Sequence, residues 1–305
     1  MARDIITTMP DYNVRILVCG MSRSGSTLLV KMIRKYFAEY HGLVLPVLSN
    51  KQFLNAPPRS GNYIVKTHVP DVSIKRKYKH DQPRDPDDKE LKQYFSLTDI
   101  FRTKRDIRDA AASEIISLNL REHFFPSDAK ALLTKNEDYE SPYLREIVKK
   151  LHREHMIWAH TLSRVHTHPD FTASSTNTKW YEWKYEDSIS DQHAAFRNVL
   201  AFLKERHDFI EDLDDASIAN LLASLPDPVE LPRSEDDFRG LPREFWRDPE
   251  KFASENVPYK KRLGWDVGVS STGGKIGYYK EFFTKEQLKV IDGQCVQWLK
   301  RNGYK

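Results

Sequence analysis

Gly20 to Thr27 reads GMSRSGST, the spacing G-x-x-x-x-G-K-[ST] of a phosphate-binding loop with glycines at Gly20 and Gly25 and a hydroxyl at Thr27. The position that carries the lysine in loops serving a nucleoside triphosphate is Ser26, and a different cation, Arg23, lies inside the turn. A tight glycine turn with backbone N–H groups ahead of a helix N-terminus still suits an anion. A planar guanidinium suits phosphate oxygens. The plain alternative is an ordinary glycine–serine turn between a strand and a helix.

Three further segments carry chemistry-bearing residues. In YIVKTHVP a short apolar run ends in Lys66, Thr67 and His68. In open α/β sheets ligands gather at the carboxyl ends of strands, and a histidine there can serve as a general base because it titrates near neutrality. In RDIRDAAAS, Arg105 follows a strand and Ser113 lies two turns into the next helix, so the pair can converge on one anion. In STGGKIGYYK, glycines at 273, 274 and 277 with Lys275 and Lys280 suggest a mobile loop able to close over a phosphate. Each of the last two reads equally well as surface structure. Most of the 11 histidines are expected to be solvated or structural; His155, on an apolar helical stripe, is expected to pack.

These residues need elements to hold them. Val14 to Cys19 reads as a buried strand, and Leu28, Leu29, Met32, Ile33 and Phe37 give helical period from about Ser26 to Tyr40. Further strands are expected at Tyr63 to Lys66, at Phe95 to Thr103 and in the aromatic cluster KWYEWKY. Helices are expected from Asp106 to Leu118, along a stripe from Leu144 to Leu162, and around Phe196–Leu203 and Ile218–Leu225. A last helix opens on Thr284 and Gln287, which fit a capping box. Residues 71–93 and 226–262 read as exposed, and the acidic run EDLDDA reads as a solvated helix start. Strands alternating with helices imply an α/β fold: a single domain whose mainly parallel central sheet is flanked by helices on both faces.

The chain has 305 residues, 39% hydrophobic and 30% charged, with a formal net charge of only +4. It can bury a core, and its mixed charge argues against a non-specific nucleic-acid surface. Cys19 and Cys295 are the only cysteines, both in apolar surroundings, as buried thiols of a reducing compartment would be. No run has the length or apolarity of a signal peptide or a membrane span. A soluble cytoplasmic protein is the expectation, with no membrane and no nucleic-acid partner.

The four segments, in this order, resemble the cytosolic-type sulfotransferases, which use 3′-phosphoadenosine 5′-phosphosulfate (PAPS). The resemblance spans residues 20 to 280. It implies a P-loop-like fold whose loop, here Arg23, Ser24, Gly25, Ser26 and Thr27, holds the 5′-phosphosulfate without a required metal. It implies that His68, after Lys66 and Thr67, is the catalytic base. Arg105 and Ser113 would anchor the 3′-phosphate, and Tyr185, in the segment YED, would approach the adenine. Gly274, Gly277 and Lys280 match the family's C-terminal signature, with Lys275 nearby.

Departures are Thr272 and Gly273 at a basic pair, Tyr279 at a tryptophan, and Leu28 at a second tryptophan. The vertebrate dimerisation signature survives only as Lys280 and Thr284, so a monomer, or a dimer of another type, is expected. The reading is a sulfotransferase that moves the sulfuryl group from PAPS to a hydroxyl of a small-molecule acceptor. His68 would be its base, with Arg23 and Lys66 stabilising developing charge. The rivals are a P-loop nucleotide kinase or NTPase, for which Ser26 is the wrong residue, and a nucleotide-binding module without chemistry, for which His68 has no purpose.

Overall fold

A computed structural model of the chain describes residues 12–55, 61–68, 88–124, 141–168, 180–225 and 275–304. Its strands are β1 (Arg15–Gly20), β2 (Val47–Ser49), β3 (Tyr63–Lys66), β4 (Asp99–Lys104) and β5 (Trp180–Lys184). Its helices are α1 (Ser26–His41), α2 (Asn50–Asn55), α3 (Asp88–Gln93), α4 (Ile107–Phe124), α5 (Ser141–Thr167), α6 (Tyr185–Ser190), α7 (Gln192–Lys204), α8 (Asp215–Ala223), α9 (Tyr279–Phe282) and α10 (Lys285–Arg301). The strands form one five-stranded sheet in the order β2-β3-β1-β4-β5, and every pairing is parallel.

Helices cover both faces, and β1 shows why its sequence is continuously apolar. Ile16 and Val18 pack with Leu29, Ile33 and Phe37 of α1 and with Phe196 and Val199 of α7. Leu17 and Cys19 face the other way, onto Trp158 and Leu162 of α5. A strand buried on both faces has no polar side to alternate with, and each such side chain contributes about 1.5–3 kcal/mol through burial. A third apolar group joins α4, α5, α9 and α10 through Ala111, Ile115, Val148, Phe282, Ile291 and Trp298.

The helix starts follow local chemistry. Asp214 accepts a hydrogen bond from the Ser217 N–H at 2.7 Å and caps α8, so the acidic run is a helix start. Thr284 and Gln287 form the full capping box ahead of α10. His155 is buried, edge-on to Trp298 and bonded to the Arg102 guanidinium. Burial first, then Arg102, pushes its pKa down to about 3, which fits a neutral packing residue.

Several boundaries differ from expectation. The strand expected from Phe95 begins only at Asp99. Tyr94–Ser96 form a 3-10 turn instead, closed by the Leu97 N–H on the Tyr94 carbonyl and anchored by the buried Tyr94 and Leu97. The end of the segment read as an exposed loop is α3, which buries Leu91. The α4 helix continues to Phe124 and α5 extends to both sides of its stripe. β2, α2 and α6 had no sequence signal: each is six residues or fewer, too short for a period to show. Cys19 and Cys295 are free and buried, and burial raises both thiols' pKa. Among the described residues no helix is long and apolar enough to cross a membrane.

Candidate functional site

The strand order reverses at β1, with β3 and β2 on one side and β4 and β5 on the other. At such a point the loops beyond the strands' carboxyl ends part and leave a crevice. The three segments singled out at Arg23, His68 and Arg105 follow β1, β3 and β4, so topology alone brings them to one place.

The loop between β1 and α1 has two enforced glycines. Gly20, at φ 128°, lies directly beside Thr103 of β4, whose backbone a Cβ would strike. Gly25 sits at φ 81° and closes against the Tyr185 ring, with the Trp183 indole beneath it; a Cβ would overlap the Tyr185 ring. Between them Arg23 adopts φ 64°, a left-handed conformation that costs a non-glycine residue about 1–2 kcal/mol. Its neighbours over-determine it. Arg23 Nε lies 3.3 Å from Glu114 Oε2, Nη2 donates to the Ser113 carbonyl at 3.4 Å, and the Arg23 carbonyl accepts from Arg105 Nη1 at 3.4 Å. Strain held in this way, between a strand end and a helix N-terminus, is of the kind that clusters at functional sites.

The far side of the loop is tied down by groups the sequence did not reveal. Glu154 of α5 is 3% exposed and accepts the Ser22 N–H at 2.8 Å. Burial pushes its pKa up to about 7, against the opposing pull of Lys150. Lys150 also pairs with Glu114, so Arg23, Glu114, Lys150 and Glu154 form one chain of alternating charge. Ser24 is fully buried, and its hydroxyl bonds Thr103 Oγ1 at 2.6 Å and the Met21 carbonyl. Ser24 therefore fastens the loop to β4, and what it can offer a ligand is its backbone N–H. Ser26, at the missing lysine's position, is also buried.

A lysine does reach the loop, from the neighbouring strand. Lys66, at the end of β3, donates a hydrogen bond to Thr27 Oγ1. Burial, then Arg23, then Lys31 push its pKa down to about 8, so it keeps its charge at neutrality. Two residues on, His68 Nδ1 lies 3.3 Å from the Gly20 carbonyl. A carbonyl only accepts, so that bond requires the proton on Nδ1 and leaves the Nε2 lone pair available. Burial and the Lys66 charge lower the His68 pKa to about 4, so the ring is neutral at physiological pH. A neutral imidazole with a fixed tautomer beside two cations has the makings of a general base.

The second cationic position is Arg105. It is 3% exposed, with its guanidinium 4.3 Å from the centroid of the Tyr185 ring. Its hydrogen bonds go to carbonyls, those of Arg23 and Lys275, and its Nε is buried without a partner. Among the described residues it has no ion-pair partner. Ser113, buried in α4, adjoins the same place through its contact with Arg23.

The C-terminal segment is anchored rather than loose where it is described. Asp109 of α4 accepts from the Gly277 N–H at 2.7 Å and the Tyr279 N–H at 3.0 Å, and Tyr279, Phe282 and Phe283 are buried. Lys275 touches Arg105 through its carbonyl while its ammonium pairs with Glu281. Lys280 is exposed, with its ammonium 5.8 Å from the Tyr279 ring centroid, and among the described residues its side chain makes no hydrogen bond or ion pair. Gly274, with Thr272 and Gly273, lies outside the described residues, as do residues 71–87, 125–140 and 226–262.

Of the expected residues, Arg23, Ser24, Gly25, Ser26, Thr27, Lys66, His68, Arg105, Ser113 and Tyr185 thus form one neighbourhood; Lys275 joins it by backbone and Lys280 does not. Glu114, Glu154, Asp109 and Lys150 were missed. Asp109 and Glu114 are in or next to the segment RDIRDAAAS, but nothing in their spacing reveals partners 90 or more residues away. The chain matches no protein-family model, and a search against curated proteins returns no similar sequence.

Proposed function

We propose that the protein is a sulfotransferase that uses PAPS as donor and a hydroxyl compound as acceptor. The observation that carries this reading is the pairing of two cationic cradles on the strand ends that flank β1, Lys66 on Thr27 and Arg105 on Tyr185, with the neutral His68 next to the first. A triphosphate presents its charge in one row. A nucleotide with a 5′-phosphosulfate and a separate 3′-phosphate needs two cradles.

The residues suit such a donor. The first cradle offers the backbone N–H groups of Ser24 to Thr27, the Thr27 hydroxyl and the Lys66 ammonium to the phosphosulfate. The second offers the Arg105 guanidinium, already stacked on Tyr185, with its Nε unpartnered. Gly25 lets the Tyr185 ring close onto the loop, where a Cβ would overlap it. The donor supplies an activated sulfuryl group, whose bond to the 5′-phosphate oxygen breaks as a new S–O bond forms to the acceptor.

His68 Nε2 takes the acceptor's hydroxyl proton as its oxygen attacks. Its Nδ1–H, held by the Gly20 carbonyl, fixes the ring and steadies the imidazolium that results. Lys66 and Thr27 offset negative charge that grows on the departing phosphate oxygen, and Arg23 contributes once Glu114 yields to the ligand.

Mass spectrometry tests the reading: the purified protein, PAPS and a panel of phenols, alcohols and sugars should give adenosine 3′,5′-bisphosphate and a product heavier than the acceptor by the mass of one SO₃ unit. Nucleotide release without a sulfated product from any acceptor class, or no turnover at all, contradicts it.

A further inference from the structure

Lys31, in the second turn of α1, is a lysine that the donor reading leaves unused. It lies four residues, about 6 Å of helix rise, beyond Thr27, on the same face. Helical side chains lean toward the N-terminus, so its chain runs back toward the Thr27–Lys66 contact. The Lys31 charge helps to lower the pKa of Lys66, and burial lowers the pKa of Lys31 itself.

Nothing among the described residues neutralises it. Among those residues Lys31 makes no hydrogen bond or ion pair, although Lys35, one turn on, pairs with Glu39 at 2.6 Å. The two carboxylates of the site, Glu114 and Glu154, serve Arg23, Lys150 and the Ser22 N–H, on the α4–α5 side of the loop. Among the described residues the β3 side therefore carries two half-buried cations, Lys31 and Lys66, with no acid paired to either. A partly desolvated cation without a counter-charge is costly, and a bound anion removes that cost.

Position decides which anion. The cations follow the strand order: Arg105 after β4, the loop after β1, Lys66 at the end of β3. Arg105 takes the end of the donor with the separate phosphate, and Lys66 and His68 take the reacting end. Lys31 adjoins Lys66 at the opposite end of the row from Arg105, where the acceptor has to enter.

We propose that Lys31 forms an anion subsite for the acceptor, so that the substrate class is a hydroxyl compound bearing its own carboxylate, phosphate or sulfate. The proposal rests on the sulfotransferase reading for its meaning but not for its test.

The experiment is a calorimetric titration of two matched pairs, 4-hydroxybenzoate against 4-hydroxybenzamide and glucuronate against glucose. Each is added to the protein alone and to the protein saturated with adenosine 3′,5′-bisphosphate. The unmodified protein should bind the acid of at least one pair about tenfold more tightly than its neutral partner. Lys31→Met, which keeps the length of the stem, should abolish the preference and leave bisphosphate affinity within about twofold, and Lys31→Glu should reverse it. No acid preference in either pair, or a preference that survives Lys31→Met, overturns the subsite. So does a loss of bisphosphate affinity in Lys31→Met with the preference intact, which would assign Lys31 to the donor. Failure of the bisphosphate to bind counts against the sulfotransferase reading alone, because the titration of the nucleotide-free protein still shows whether Lys31 selects an anion.

Discussion

The ammonium of Lys66, at the end of β3, donates to the hydroxyl of Thr27 in the first turn of α1. The cation absent from the loop at Ser26 thus enters from the adjoining strand. A lysine inside the loop moves with the loop, whereas Lys66 is fixed by the register that pairs it with Val18 of β1.

On the proposed mechanism Lys66 should set the alkaline side of activity. Its pKa is held down to about 8, so the charge that stabilises the leaving oxygen is lost as pH rises through that value. A profile of kcat/KM should fall above about pH 8, and Lys66→Arg, which keeps its charge throughout, should remove that limb even if the maximum is lower. An unchanged alkaline limb in Lys66→Arg assigns it to another group.

His68 sets the acid side. With its pKa lowered to about 4, it remains an unprotonated base down to mildly acidic pH. His68→Ala should cut kcat about 10²–10⁴-fold while calorimetry finds bisphosphate affinity near normal. Turnover like that of the unmodified protein removes His68 from the mechanism.

Arg105 separates the two ends of the donor. Arg105→Ala removes charge-assisted bonds of about 1.5–3 kcal/mol, so adenosine 3′,5′-bisphosphate should bind about 10–100-fold more weakly. Adenosine 5′-phosphosulfate, which lacks the 3′-phosphate, should lose far less. Equal losses in calorimetry contradict the assignment, and Ser113→Ala should show the same asymmetry at smaller size.

Glu154 makes the loop sensitive to pH. Its folded pKa, about 7, lies above the ordinary 4.5, so between these values the folded protein holds a proton that the unfolded chain has released. Stability from this group is therefore full below about pH 4.5 and declines as pH rises to about 7. The lowered pKa values of His68 and His155 act in the opposite direction, so the comparison has to be with Glu154→Gln. That variant still accepts the Ser22 N–H, and its stability relative to the unmodified protein should improve steadily across the window in chemical denaturation. A difference independent of pH sinks the idea.

What the sequence made legible was local. Gly20, Arg23, Gly25 and Thr27 declare themselves because the strand, turn and helix that use them are contiguous, and Lys66 to His68 stand out because an apolar strand ends there. Glu154 and Asp109 did not, because their partners, Ser22 and Gly277, are 132 and 168 residues away, and only the folded sheet makes them neighbours. The strand expected from Phe95 failed for a related reason. Aromatic composition suits a strand, but Tyr94 is claimed by Asn50 and Trp158, which turn the chain before β4 begins. Lys275 and Lys280 look alike in sequence; one lies beside Arg105 and the other on the exposed side of α9.

The most direct measurement of the central claim is thermal unfolding with added nucleotide, with and without EDTA. A ligand at about one hundred times its Kd stabilises the fold by about 2.7 kcal/mol. Adenosine 3′,5′-bisphosphate should raise the Tm equally with and without EDTA, and the rise should shrink in Arg105→Ala. ATP with Mg²⁺ should give much less at equal concentration, since it carries no separate 3′-phosphate for Arg105. A large rise with ATP that EDTA abolishes, together with none from the bisphosphate, would contradict the sulfotransferase account and favour a kinase.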